Sequence, residues 1–314
     1  MPTVRQGKNG VEYSFGITSG YSSFAYSAFA VLEMGTPCRT WWTGARAGVH
    51  WNIVTAQANG RLWGWRARDW ADVQEGQMSA AYRSILAKLA LKPGQSLLDI
   101  GCGAGMFASM ASECGLLVSG IDASNALIAI ARKRAPGAHF RISDLEDIPF
   151  PEGSFDAVTG FNAFQFATNP VVALSAAKRA AKRGSPVVVV IWGDQESSDA
   201  AAVVAALEPL LGAFRSTSPK ATALTHRGGL RRFAEEAGLL GPFDVGDSDT
   251  EWRYPDLATA VRGLNSAGSA RSAADRTSEE AVTRAHEAAL RPYVKVDGTV
   301  RFSAVFRYII ARAP

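Results

Sequence analysis

Five short apolar runs follow one another at regular intervals: SLLDIG (96–101), LLVSGID (116–122), HFRIS (139–143), FDAVTGF (155–161) and PVVVVIW (186–192). Between them lie alanine-rich stretches, 104–114, 124–134 and 170–183, each able to form a helix. Strands that are apolar on both faces and alternate with helices indicate a parallel sheet covered on both sides. This pattern restricts the chain to an α/β fold with a doubly wound, Rossmann-like sheet.

The rest of the chain is arranged around that core. Residues 1–60 are rich in Gly, Ser, Thr and aromatics without a sustained period, and are expected to be a poorly ordered extension in front of a domain spanning 61–314. From Leu62, apolar residues at helical spacing run to Leu89, where Pro93 and Gly94 stop the helix. Downstream, 200–211, 227–238, 255–265 and 278–290 read as helices that interrupt the alternation and suit substrate-specific elements. VRFSAVFRYIIA (300–311) reads as a closing strand.

Composition removes several function classes. With 33 basic and 29 acidic residues spread along 314, the net charge of +4 offers no basic block for nucleic acid or an anionic membrane. Cys38, Cys102 and Cys114 show no CxxC spacing, so neither a disulfide framework nor a structural metal site is expected. The longest apolar run near the start, about 24–34, falls short of the roughly 20 residues a membrane span needs. A cytoplasmic protein without membrane insertion follows, and no oligomeric state is read from the sequence.

The chemistry is concentrated at the ends of the first strands. LLDIGCGAGM (97–106) puts Gly101, Gly103 and Gly105 directly after a strand and before a helix, where a doubly wound sheet binds its ligand. A dinucleotide fingerprint, GxGxxG, needs glycine at 106, and that position is Met106. Asp122 ends the second strand 23 residues after Asp99 and can accept both hydroxyls of a ribose; it also fits the N-cap of the next helix, a position Ser124 could fill instead. Asp144 follows the third strand and could accept from an exocyclic amine such as adenine N6, with the Leu145 backbone reading the ring. As a turn acid it would bond its own backbone.

These elements together resemble the class I S-adenosylmethionine-dependent methyltransferases, in particular the small-molecule group that includes the ubiquinone and menaquinone biosynthesis enzymes. The resemblance rests on LLDIGCGAG (97–105), GIDAS (120–124), SDLEDIPFPEGSFDAV (143–158) and PVVVVIWG (186–193). It implies a seven-stranded, mostly parallel sheet with one antiparallel strand, the closing one, beside the fifth, and helices on both faces. It also implies S-adenosylmethionine as cofactor, held by Asp99, Gly101, Cys102, Gly103, Gly105, Asp122, Ala123, Asp144, Leu145, Asn162 and Gln165. In that assignment the glycines wrap the methionine portion, Asp122 holds the ribose, Asp144 and Leu145 contact adenine, and Asn162 and Gln165 border the sulfonium. In relatives the lead-in helix folds over the cofactor; Trp63, Trp65 and Trp70 on it are read here as core packing.

Methyl transfer from a sulfonium needs orientation more than a base. The candidates for a base are therefore weak ones, His226 and Gln165, while His286 suits a solvated helix face and His139 a structural place in the third strand. Phe164, Trp192, Trp252 and Tyr254 are the expected lining of an apolar acceptor pocket, and no metal is expected. The function expected is methyl transfer to a small-molecule acceptor. The alternatives are a protein that binds S-adenosylmethionine or its product without transferring the methyl and, more distantly, an NAD-dependent oxidoreductase.

Overall fold

The computed structural model describes residues 3–7, 10–14, 49–193, 198–211 and 228–314. A division of the chain falls between Ala45 and Arg46. Before it, β1 (Thr3–Gly7) and β2 (Gly10–Ser14) form an antiparallel pair.

The larger unit is built on seven strands: β3 (Ser96–Ile100), β4 (Leu117–Asp122), β5 (His139–Ile142), β6 (Ala157–Phe161), β7 (Pro186–Trp192), β8 (Leu240–Tyr254) and β9 (Val300–Arg312). They lie in the order β5-β4-β3-β6-β7-β9-β8. All pairings are parallel except those of β9, which runs antiparallel to both β7 and β8. This is the seven-stranded sheet with a single reversed strand, inserted beside the fifth strand of the core.

Successive side chains of a strand face opposite ways, and the apolar runs use both faces. Leu97, Val188 and Val190 enter one core with Phe107 and Phe161, while Leu98, Val187, Val189 and Ile191 enter the other with Phe164 and Leu174. The helices that cover these faces begin where short polar side chains cap them. Ser124 accepts from Leu127 N at 3.3 Å at the start of the helix Asn125–Arg134, and Asn169 caps the helix Pro170–Ala180. In chain order the helices are α1 (Val49–Gly64), α2 (Ala67–Asp69), α3 (Ser79–Leu89), α4 (Met106–Glu113), α5 (Asn125–Arg134), α6 (Pro170–Ala180), α7 (Asp199–Ala205), α8 (Glu208–Leu211), α9 (Gly229–Glu236), α10 (Leu257–Leu264), α11 (Gly268–Arg276) and α12 (Glu279–Leu290). Among the described residues no helix is long and apolar enough to cross a membrane.

Three features depart from the sequence reading. The boundary expected at 60/61 falls inside α1, which packs on α5 and α11 and belongs to the larger unit. The lead-in expected as one helix is broken by a π-helical turn, Trp70–Gln74, and a 3₁₀ turn, Glu75–Met78, before α3. His286, expected on a solvated face, is 2% exposed, and its Nδ1 lies 2.7 Å from Asn265 Oδ1. Burial pulls its pKa down to about 4, so the ring is neutral.

Candidate functional site

The strand order reverses at β3: the chain moves outward through β4 and β5, then returns to place β6 on the other side of β3. Ligand clefts form at such switch points, beyond the carboxyl ends of the strands. Here the opening is lined by the ends of β3, β4 and β6 and by the lead-in.

Its floor is the loop after β3. Gly103 has φ +55°, a left-handed backbone, and a Cβ there would lie 3.0 Å from Glu75 Oε1 and 3.4 Å from Trp70 Nε1. Gly105 has φ +81° and closes the loop from beneath: a Cβ there would meet Ala131 Cβ at 2.8 Å, so only glycine lets α4 and α5 approach. Gly105 supports the cleft without lining it.

Three carboxyls surround the loop. Asp122 ends β4; its Oδ2 accepts from Gly103 N at 3.0 Å and its Oδ1 from Ser124 N at 2.8 Å. Burial raises its pKa, opposed by these N–H groups. Asp99, 2% exposed in β3, accepts from Thr159 Oγ1 at 2.9 Å. Burial pushes it up to about 8, the Thr159 bond opposes the shift, and the charges of Glu75 and Asp122 add to it. Glu75, also 2% exposed, accepts from Ala104 N at 2.9 Å and pairs with Arg134. Burial pushes it up to about 7 against the pull of that guanidinium.

The cleft brings together Asp99, Gly101, Cys102, Gly103, Asp122, Ala123, Leu145 and Asn162 of the expected site. Asn162 adopts φ +48° at the end of β6, a conformation uncommon outside glycine and characteristic of functional turns. Its Oδ1 accepts from Gln165 Nε2 at 3.3 Å, so Gln165 stands behind Asn162 and off the cleft surface. Asp144 also lies off the cleft: its Oδ1 accepts from Glu146 N at 2.9 Å, the bond of a turn acid.

The expected acceptor pocket is corrected. Phe164 is fully buried in the opposite core, against Phe233 and the space beside Gly160. Trp252 and Tyr254 are 3% and 2% exposed; Tyr254 donates to Gln74 Oε1, and Trp192 packs on Trp252 and Phe306. These aromatics fill core because β8 and β9 extend the sheet past β7 and are covered there. His226 lies outside the described residues, and His139 is exposed at the start of β5.

The lead-in supplies lining that the sequence reading assigned to core or missed. Asn59, Trp63, Trp70, Glu75, Met78 and Tyr82 all face the cleft. Trp63 meets Trp70 and Phe166 edge-on, with centroids 4.9 and 5.3 Å apart, and Asn59 Nδ2 donates to Phe166 O at 2.9 Å. A Cβ at Gly60 would lie 2.4 Å from the Ala123 carbonyl oxygen, so α1 rests directly on the loop after β4. None of the described residues from 198 onward lines the cleft.

Residues 98–189 match the family model described as a methyltransferase domain. This part of the chain is a methyltransferase domain. Around this domain the chain is 30% identical over 96 residues to malonyl-[acyl-carrier protein] O-methyltransferase of Serratia marcescens, covering 31% of this chain and 38% of that protein. It is 31% identical over 114 residues to demethylmenaquinone methyltransferase of Renibacterium salmoninarum, covering 36% and 48%. The chain therefore spans less than half the length of these two curated relatives. A solved structure assigned as a methyltransferase, from Bacillus halodurans C-125, superposes with a TM-score of 0.50 at 18% identity, covering 74% of this chain and 98% of that one. The methyltransferase domain thus coincides with the strands that form the cleft.

Proposed function

We propose that this chain transfers a methyl group from S-adenosylmethionine to a small-molecule acceptor. The observation that carries this reading is the electrostatic character of the cleft. Among the described residues its lining includes three carboxyls, Glu75, Asp99 and Asp122, and no Lys, Arg or His. A pyrophosphate would use the N–H groups of the glycine loop and the start of α4, but the Glu75 carboxylate already accepts from Ala104 N in the loop and Met106 N at the helix start. An anionic dinucleotide is thereby disfavoured, and a nucleoside bearing a cationic sulfonium is favoured.

The residues present suit each part of such a ligand. Asp122 is fixed by Gly103 N and Ser124 N and retains acceptor capacity for ribose hydroxyls. Ala123 and Leu145 offer an apolar surface beside it for a base, and Gly101 and Gly103 leave room for the amino-acid portion. Bound there, S-adenosylmethionine supplies a methyl carbon already activated by the sulfonium charge. The protein holds donor and acceptor in line, while Trp63, Met78 and Phe166 exclude water. With the donor bound, Asp122 would hold its ribose and Gly101 and Gly103 its amino-acid portion, leaving the methyl group free to meet an acceptor.

Incubation with methyl-labelled donor and a panel of hydroxylated, amino and quinonoid metabolites tests this function. Acceptor-dependent label transfer that disappears in Asp122→Ala is expected. Donor binding with no transfer to any acceptor class would overturn the transferase reading.

A further inference from the structure

Glu75 is the charged group at the cleft that the sequence pattern did not single out, and its bonding differs from that of Asp99 and Asp122. It sits at the junction of the π-helical and 3₁₀ turns of the lead-in, yet its partners lie on other elements. Oε1 accepts from Ala104 N of the glycine loop at 2.9 Å and from Met106 N, the first residue of α4, at 3.5 Å. Oε2 pairs with Arg134 at the end of α5. Arg134 in turn donates to Ala104 O at 3.0 Å and to Ala71 O at 2.9 Å. Both polar groups of Ala104 and the lead-in at Ala71 are therefore tied to one buried ion pair.

We infer that Glu75 is a positioning residue of the donor site: with Arg134 it braces the glycine loop against the lead-in, so that the loop holds the donor's amino-acid tail only while the brace is intact. The inference rests on the donor reading above. The brace acts on the loop at 101–105; the nucleoside side of the cleft is formed by Asp122, Ala123 and Leu145, of which Asp122 bonds that loop through Gly103 N but is also held by Ser124 N, outside the loop. Its loss consequently affects ligands that carry the tail far more than ligands that lack it.

A charge dependence follows from the same geometry. Protonating Glu75 removes the ionic half of its pairing with Arg134 and weakens the brace. The other titratable groups that feel it are Asp99 from β3, Cys102 in the loop and Tyr82 from α3. Burial opposes ionisation of Glu75, while Arg134 and the N–H groups of Met106 and Ala104 favour it. The full brace is thus present above about pH 7 and fades as the pH falls through that value.

The test is calorimetric titration of the full chain with S-adenosylhomocysteine and with 5′-methylthioadenosine, which lacks the amino-acid tail, at pH 6 and pH 8. Glu75→Gln is expected to weaken the first ligand about tenfold and the second less than twofold, a split that general loosening of the fold would not produce. Wild type should bind S-adenosylhomocysteine more tightly at pH 8 than at pH 6, and Glu75→Gln should lose most of that difference. Should Glu75→Gln fail to fold, Arg134→Gln, which alters the more exposed partner, is expected to give the same split. Equal losses for both ligands, or none, would overturn the brace. Failure of wild type to bind either ligand would overturn the donor reading itself, and the brace with it.

Discussion

Gly60→Ala tests whether α1 belongs to the site. In an exposed helix this change is favourable by about 1 kcal/mol, because alanine restricts the unfolded chain and glycine does not. In the folded protein the new Cβ would lie 2.4 Å from the Ala123 carbonyl oxygen, a backbone atom that cannot swing aside. Restoring an ordinary contact requires α1 to move by about 1 Å, and overpacking of this kind costs on the order of 1–3 kcal/mol. The two terms oppose each other, so the sign of the stability change reports whether the helix is docked. The same displacement would carry Asn59 and Trp63 away from the cleft, and misplacement by about 1 Å can cost up to 100-fold where geometry is critical. Thermal denaturation and calorimetric titration with S-adenosylhomocysteine should show a lowered Tm and at least tenfold weaker binding. Gly137→Ala, with nothing within 4 Å of its added carbon, should change neither. A raised Tm with unchanged affinity in Gly60→Ala would refute the docking of α1.

Other outcomes follow from the site's charges and from the buried histidine. Asp122→Ala should weaken S-adenosylhomocysteine at least 100-fold while far-ultraviolet circular dichroism stays that of wild type; wild-type affinity would exclude Asp122 from the ribose site. Glu75 and Asp99, held up to about 7 and about 8, should release protons when a cationic donor binds, since a nearby positive charge favours the ionised carboxylates. Binding enthalpies of S-adenosylmethionine measured near pH 7 in buffers of different ionisation enthalpy should therefore differ in the sense of proton release, and identical enthalpies would contradict the acidic lining. His286 is neutral in the fold down to about pH 4 but takes up a proton near 6.5 when unfolded, so between those values only the unfolded chain binds it. The stability tied to its neutral burial is complete above pH 6.5 and falls by about 3 kcal/mol as the pH drops to 4. Urea titrations at pH 7 and pH 4 should show His286→Leu losing less than wild type over that interval, and equal losses would refute the burial.

The sheet was legible because its strands are apolar on both faces. PVVVVIW and FDAVTGF allow few alternatives, and the observed β6 and β7 begin within two residues of the expected positions. β8 was not legible: LGPFDVGDSDTEWRY contains Pro242, two glycines and four acids, and it forms a strand by pairing along β9 at the sheet edge, where most of its side chains meet solvent. The cleft divided in the same way. The residues at strand ends could be placed by counting, since Asp122 and Asn162 are where β4 and β6 stop. Glu75 and Trp70 could not, because the lead-in reads as one helix and its reversal through a π-helical turn depends on contacts with Ala104 and Arg134 that lie about 30 and 60 residues away. Phe164, Trp252 and Tyr254 failed for the converse reason: an aromatic at a strand end has the same local signal whether it faces a cleft or a covering helix.

Calorimetric titration of the purified chain with S-adenosylmethionine, with NAD⁺ in a parallel cell, tests the central claim most directly. The acidic cleft and the engaged amides of α4 predict one-to-one binding of S-adenosylmethionine at micromolar concentrations and no detectable heat from NAD⁺. Binding of NAD⁺ without S-adenosylmethionine would contradict it.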